Sequence, residues 1–184
     1  YTRYTGDLSY IPVMGMEVLI GIARFWRQRA SFSSAKNKYV ILGVTGPNEY
    51  ENNVNNNWYT NYSAQWCMSY AADQLAALRL SSPKDATHIE QKTNFQNEEL
   101  AQWKETAENM YLPKDDTLNV VLQQDGFLDK ELVKAADLNP AERPINQHWS
   151  WDRILRSPYI KQADVLQGMY LFEDKFDEAT LRRN

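Results

Sequence analysis

Residues 43–61 read GVTGPNEYENNVNNNWYTN. The stretch gathers seven asparagines, two glutamates and three aromatics around the Gly46-Pro47 turn. Gly46 lets the chain bend sharply, and Glu49 stands just past the bend. A carboxyl at such a tip, behind the apolar run YVILGV (39–44), can be presented into a cleft. There, a low local dielectric and the neighbouring Glu51 would raise its pKa and keep it protonated as a general acid. The asparagines offer neutral donors and acceptors for hydroxyl groups. Asn-rich turns also bond their own backbone, and residue type alone does not choose between the two.

Lys161 and Gln162 form a second candidate pair. Ser157-Pro158 reads as the cap and first position of a helix running to about Phe172, which puts the pair in its first turn. A helix start has free N–H groups and partial positive charge, so Lys and Gln there could grip hydroxyls or an anion. The alternative is a solvated first turn. Glu17 sits on an otherwise apolar stretch and must be paired, neutral or at a pocket. His148 lies in HWSWD, with Trp149, Trp151 and Asp152. His88 is the only other histidine, and no acids cluster at ligand spacing, so no metal site is expected. HWSWD reads instead as an aromatic wall beside a sugar site, or as packing. Cys67 is the single cysteine, which fits a reducing compartment and a small buried apolar role.

The elements that must hold these residues are mostly helical. Pro12–Ala30 reads as a helix apolar around nearly its whole circumference, the pattern of an element buried in a larger assembly. Tyr39–Val44 is a short extended run. Trp58–Leu80 is a long helix, Ser81–Asn94 a polar linker, and Asn97–Tyr111 an amphipathic helix. Asn119–Gln123 reads as a short strand, Asp129–Leu138 and His148–Leu155 as short helical pieces, and a last helix starts near Asp177. The tally is all-α, an array or barrel of helices whose ends line a pocket.

Composition narrows the function classes. The chain has 184 residues, 43% apolar and 12% aromatic, too apolar to be disordered. Net charge is −4 with the signs interspersed, so neither nucleic acid nor a membrane surface is an expected partner. Six Trp and eleven Tyr suit a sugar-binding cleft as well as they suit a core. No glycine-rich nucleotide motif, CxxC pair or fixed-period repeat appears.

Two long motifs, GVTGPNEYENNVNNNWYTN (43–61) and SPYIKQADVLQGMYLFED (157–174), closely resemble the glycoside hydrolase family of inverting α-glucoside phosphorylases. Its members act on maltose, trehalose or kojibiose, and ERPINQHWSWDRILRSPYIKQADV (142–165) leans toward the maltose-cleaving branch. The resemblance runs along the whole chain. It implies that residues 1–184 are an internal slice of an (α/α)6 barrel catalytic domain, with the flanking β domains outside it. It makes Glu49 the general acid and Lys161 and Gln162 the residues that bind the transferred glucose. The upstream Trp-Asp pair that also holds glucose, and the downstream loop that binds phosphate, are expected beyond the two ends. Where the family loop commonly has Asp before the acid and His after the tyrosine, this chain has Asn48 and no His. That leaves the acid in place but alters the polar contacts around it. The resemblance further implies a homodimer using a disaccharide and inorganic phosphate, without metal or organic cofactor, and the reducing compartment that the lone Cys67 fits makes a cytoplasmic location the expectation.

Overall fold

The computed structural model describes residues 1–184, apart from the side chain of Arg3. Helical residues make up 57% of the chain, against strands of two or three residues, so the chain is all-α. It divides into two compact units, residues 1–39 with 63–110 and residues 40–62 with 111–184.

Four longer helices build most of the first unit. A widened turn at Ile11–Gly15 leads into the Met16–Arg29 helix. Met16, Ile20 and Ala23 form its buried stripe, which packs against Pro83–Thr93 and Glu98–Glu108. Val18, Ile22 and Phe25 form a second apolar stripe, and it is exposed. The all-round apolarity read from the sequence is therefore two stripes, of which this chain covers one. The long helix Trp58–Ser81 contributes its residues from Ser63 onward, with Ala64, Met68, Ala71, Leu75 and Leu78 buried along one face. Polar clamps join the helices. Arg24 grips Glu99 with two bonds of 2.7 and 2.8 Å, and Lys92 pairs with Glu17 at 2.6 Å. Glu17 is thus the paired acid of the expectation.

One boundary expectation fails here. Residues 81–94 are not a linker: Pro83–Thr93 is a helix. The local signals were complete, with Pro83 in the first turn, Asp85 behind it, Lys92 in the last turn and Asn94 in the left-handed conformation that ends helices. Only Ala86 and Ile89 are buried, so the apolar period that flags a helix is nearly absent.

The second unit has an unusually polar interior. Ile41, Trp58, Ile145, Ile154, Met169 and Phe172 are buried beside Asn48, Glu51, Asn56, Asn57, Asn61, Gln123, Gln124 and Asp164. Val44 and Val54 exchange backbone hydrogen bonds at 2.9 and 2.8 Å, closing the segment between them into a loop. Trp58 stacks on Tyr62 at 4.9 Å, and Phe172 and Phe176 lie against Tyr62 at 5.0 and 5.4 Å. The Asp164–Leu171 helix comes close to this cluster through Gly168.

The expected 157–172 helix starts only at Asp164. Ser157 does not cap it. Its N–H and its hydroxyl both donate to Ile154 O, at 3.0 and 2.8 Å, ending the Trp151–Arg156 helix instead. Pro158 disfavours helical backbone at Ser157. The N–H groups of Lys161 and Gln162 are bonded outside any helix, as described next.

Candidate active site

The site lies within the second unit. Asn48 is its hub, fully buried. Its Oδ1 accepts from the N–H of Lys161 at 2.9 Å, of Tyr50 at 3.3 Å and of Gln162 at 3.4 Å. One side chain at the loop tip thus fixes the backbone of the Lys161-Gln162 segment, 113 residues further along the chain. Gln162 answers from the other side: its Oε1 accepts the Glu49 N–H at 2.9 Å. The Lys161 ammonium forms an ion pair with the Glu49 carboxylate. The three residues singled out for sugar chemistry are therefore in mutual contact, although nothing in their spacing required it.

Within these 184 residues Glu49 is exposed, its side chain 59% accessible, where the sequence led to a carboxyl in a low dielectric. The hydrogen bond from Lys161, with further help from Gln162 and from the Lys161 charge, holds its carboxyl below the usual carboxylate range. Lys161 is raised in turn by Glu49. Glu51 does not press on Glu49. It is buried and neutralised by Lys130, whose ammonium also donates to Leu155 O at 2.8 Å and Ser157 O at 3.2 Å. Those three acceptors match the three donors of an ammonium, so Lys130 ties the loop to the chain entering the Lys161 segment.

Asp164 is a second buried carboxyl, one that nothing in the sequence singles out. It is fully buried, and Asn57 Nδ2 donates to its Oδ2 at 2.8 Å. Burial pushes its pKa up to about 6, against the pull of hydrogen bonds from Asn57 and the Asn48 N–H. Asn56, Asn57 and Asn61 are bonded within the protein. Asn56 Oδ1 accepts the Ile41 N–H at 3.2 Å and its Nδ2 donates to Asp125 at 2.6 Å, while Asn61 donates to Tyr111 O at 2.7 Å. Asn57 also caps the start of the long helix through the Thr60 N–H at 3.0 Å. Gly46, in the left-handed conformation, leaves room for it. A Cβ there would lie 2.6 Å from Asn57 Nδ2.

The HWSWD motif divides. Asp152 pairs with Arg156 at 3.1 Å and not with His148, which is exposed. Trp149 lines a cleft of about 240 Å3 with Glu131, Glu142, Arg153, Ser157 and Tyr159. Arg153 lies over the Trp149 ring at 3.6 Å and bonds Glu142 at 2.9 Å. Cys67 is half-buried, and burial pushes its thiol up, away from thiolate chemistry. Among the described residues no three His, Cys, Asp or Glu side chains gather to hold a metal ion. Among them, too, no helix is long and apolar enough to cross a membrane.

Known proteins share this chain's pattern. It is 50% identical over its whole length to maltose phosphorylase of Bacillus subtilis strain 168, covering 23% of that protein. Against α,α-trehalose phosphorylase of Thermoanaerobacter brockii it is 36% identical over its whole length, covering 24%. A solved chain from the human microbiome, provisionally described as a kojibiose phosphorylase, superposes with a TM-score of 0.88 at 33% identity. That match covers all of this chain and 25% of the solved one. The chain spans about a quarter of the length of the curated relatives it matches. The model of the glycosyl hydrolase family 65 central catalytic domain matches residues 1–184, and the chain belongs to that family.

Proposed function

We propose that the protein carrying this chain is an inverting α-glucoside phosphorylase whose substrate is maltose, and that residues 1–184 are an internal part of its (α/α)6 barrel. In the reaction, a phosphate oxygen attacks the anomeric carbon from the face opposite the glycosidic bond. That bond breaks, its electron pair passes to the bridging oxygen, and Glu49 donates the proton that oxygen needs. The products are β-glucose 1-phosphate and glucose. Inverting hydrolysis requires a second carboxylate to activate water, but phosphate is already an anionic nucleophile. One acid at the loop tip is then enough. Lys161 and Gln162 orient the transferred glucose by its hydroxyls, and neither metal nor organic cofactor takes part.

The observation that carries this reading is the contact of Glu49 with both Lys161 and Gln162, which puts a carboxyl beside two side chains able to donate to hydroxyls. Similarity to phosphorylases acting on different disaccharides supports phosphorolysis as the class, and 50% identity to a maltose phosphorylase supports maltose within it. The test is an assay of the full-length protein on maltose, trehalose and kojibiose, each with and without phosphate. Maltose cleavage that needs phosphate is the expected result, unaffected by EDTA. Equal cleavage in water alone would make the protein a hydrolase. Glu49→Gln should lower kcat on maltose by at least about 10²-fold, the scale of general-acid catalysis. Retention of the parental rate would remove Glu49 from the mechanism.

A further inference from the structure

We propose that Asn48 is a positioning residue for the reaction: its side-chain oxygen sets the Lys161-Gln162 pair against the acid Glu49. The inference rests on the phosphorylase reading and deepens it. It starts from the backbone of the pair. Residues 157–163 lie in neither helix nor strand, so the N–H groups of Lys161 and Gln162 have no ladder to bond to. Both are taken up by Asn48 Oδ1, at 2.9 and 3.4 Å. The same oxygen accepts the Tyr50 N–H at 3.3 Å, which fixes the turn on the far side of Glu49. Three donors converge here, so the oxygen and not the amide nitrogen must face them. The nitrogen is buried without a partner. Asn48 therefore works as an acceptor alone.

Glu49 is the next residue in the chain, so the tether leaves little slack between the acid and the pair. Gln162 closes the circuit, its Oε1 accepting the Glu49 N–H at 2.9 Å. Asn48 is itself anchored: it is fully buried, and its carbonyl accepts the Glu51 N–H at 3.1 Å. A second tie runs separately. Lys130 bonds Glu51 and the carbonyls of Leu155 and Ser157, which holds the chain ahead of Lys161 to the same loop. Removing the Asn48 oxygen thus leaves the two stretches joined, but frees the Lys161-Gln162 backbone to shift against Glu49. A misplacement of about 1 Å between groups that act on one substrate costs on the order of 10²-fold in rate. Asn48 touches no substrate in this account; it acts through the pair it holds.

The test is steady-state kinetics of maltose phosphorolysis by the full-length protein, with Tm measured alongside. Asn48→Ala should lower kcat/KM by about 10- to 100-fold. Asn48→Asp, which keeps an acceptor oxygen in the same place, should regain most of that loss. Asn48→Ala combined with Gln162→Ala should stay near the weaker single variant rather than fall to the product of the two losses, as groups that act as a unit do. If Asn48→Ala does not fold, Asn48→Ser, whose shorter side chain cannot span to the pair, takes its place. A lowered Tm with parental kcat/KM, an Asp variant no better than the Ala variant, or losses that multiply would each overturn the positioning role while leaving the substrate assignment standing. A parent protein that does not cleave maltose in the presence of phosphate would overturn both.

Discussion

Asp164 accepts a bond from Asn57 in a place without water, and that sets a pH signature opposite to the usual carboxylate one. Its folded pKa of about 6 lies above the ordinary value of 3.8. Between those values the folded state holds more protons than the unfolded one. Its contribution to stability is present below about pH 4, is lost as pH rises to about 6, and stays constant above. The full effect corresponds to about 3 kcal/mol. Asp164→Asn, which cannot ionise, should remove that slope. The check is the difference in urea-unfolding free energy between variant and parent at pH 4, 5, 6 and 7, taken as a difference so that the oppositely shifted Glu49, Glu99 and Asp177 cancel. Parallel profiles would show that Asp164 is not buried as an acid. Lys161→Ala tests the neighbouring group. Loss of a hydrogen bond from a charged donor is worth about 1.5–3 kcal/mol, so kcat/KM on maltose should fall about 10- to 100-fold. Glu49, Lys161 and Gln162 could be singled out from the sequence because their motifs are long and their side chains are chemically conspicuous; their mutual contact could not. Asn48 and Asp164 could not be either, because their roles are made by contacts between segments more than a hundred residues apart, which leave no local spacing to read.

At the scale of elements, the Asp164–Leu171 helix is placed by an absence of side chain. A Cβ on Gly168 would lie 2.4 Å from Trp58 Cζ3, and Trp58 is 2% exposed and stacked on Tyr62. The ring has no open space to retreat into, so the helix would have to move, and the Lys161-Gln162 segment enters that helix. Gly168→Ala should therefore cost about 1–3 kcal/mol, the range of overpacked cores. A drop in Tm together with a changed near-UV circular dichroism signal would report it; an unchanged Tm would show that the helix approach is loose. The long helix was legible from the helical spacing of Tyr59, Tyr62, Trp66, Cys67, Tyr70, Leu75 and Leu78, although the buried face shares only Leu75 and Leu78 with that set and runs otherwise through Ala64, Met68 and Ala71. The start of the Asp164 helix was not, because Ser157-Pro158 carries the same residue types whether it opens a helix or closes one. The choice was made by the Asn48 oxygen, which takes up the N–H groups of Lys161 and Gln162.

For the molecule as a whole, the decisive fact is apolar surface that the chain does not cover. In the first unit Val13, Met14, Val18 and Phe25 are 69, 64, 60 and 56% exposed. Val18, Ile22 and Phe25 recur at helical spacing, so they form one stripe and not scattered single residues. In the second unit Leu166 and Tyr170 are exposed one turn apart. Contiguous apolar surface of this kind is uncommon on soluble monomers, and a net charge of −4 opposes association only weakly. The chain spans about a quarter of the length of these relatives, and on the proposed reading as part of a larger barrel the cover comes from the rest of that domain. The 184-residue chain alone should therefore bind a hydrophobic dye and elute as an oligomer. Val18→Glu combined with Phe25→Glu should reduce dye binding several-fold and shift elution toward the monomer, with far-UV circular dichroism unchanged. These positions face away from the buried Met16, Ile20 and Ala23 stripe, so the helix itself has no reason to unfold. The same pair in the full-length protein should lower its Tm, because two charges would then be placed against the covering surface. A monomeric parent chain that binds no dye, or a full-length protein indifferent to both charges, would show that the stripe faces solvent by design.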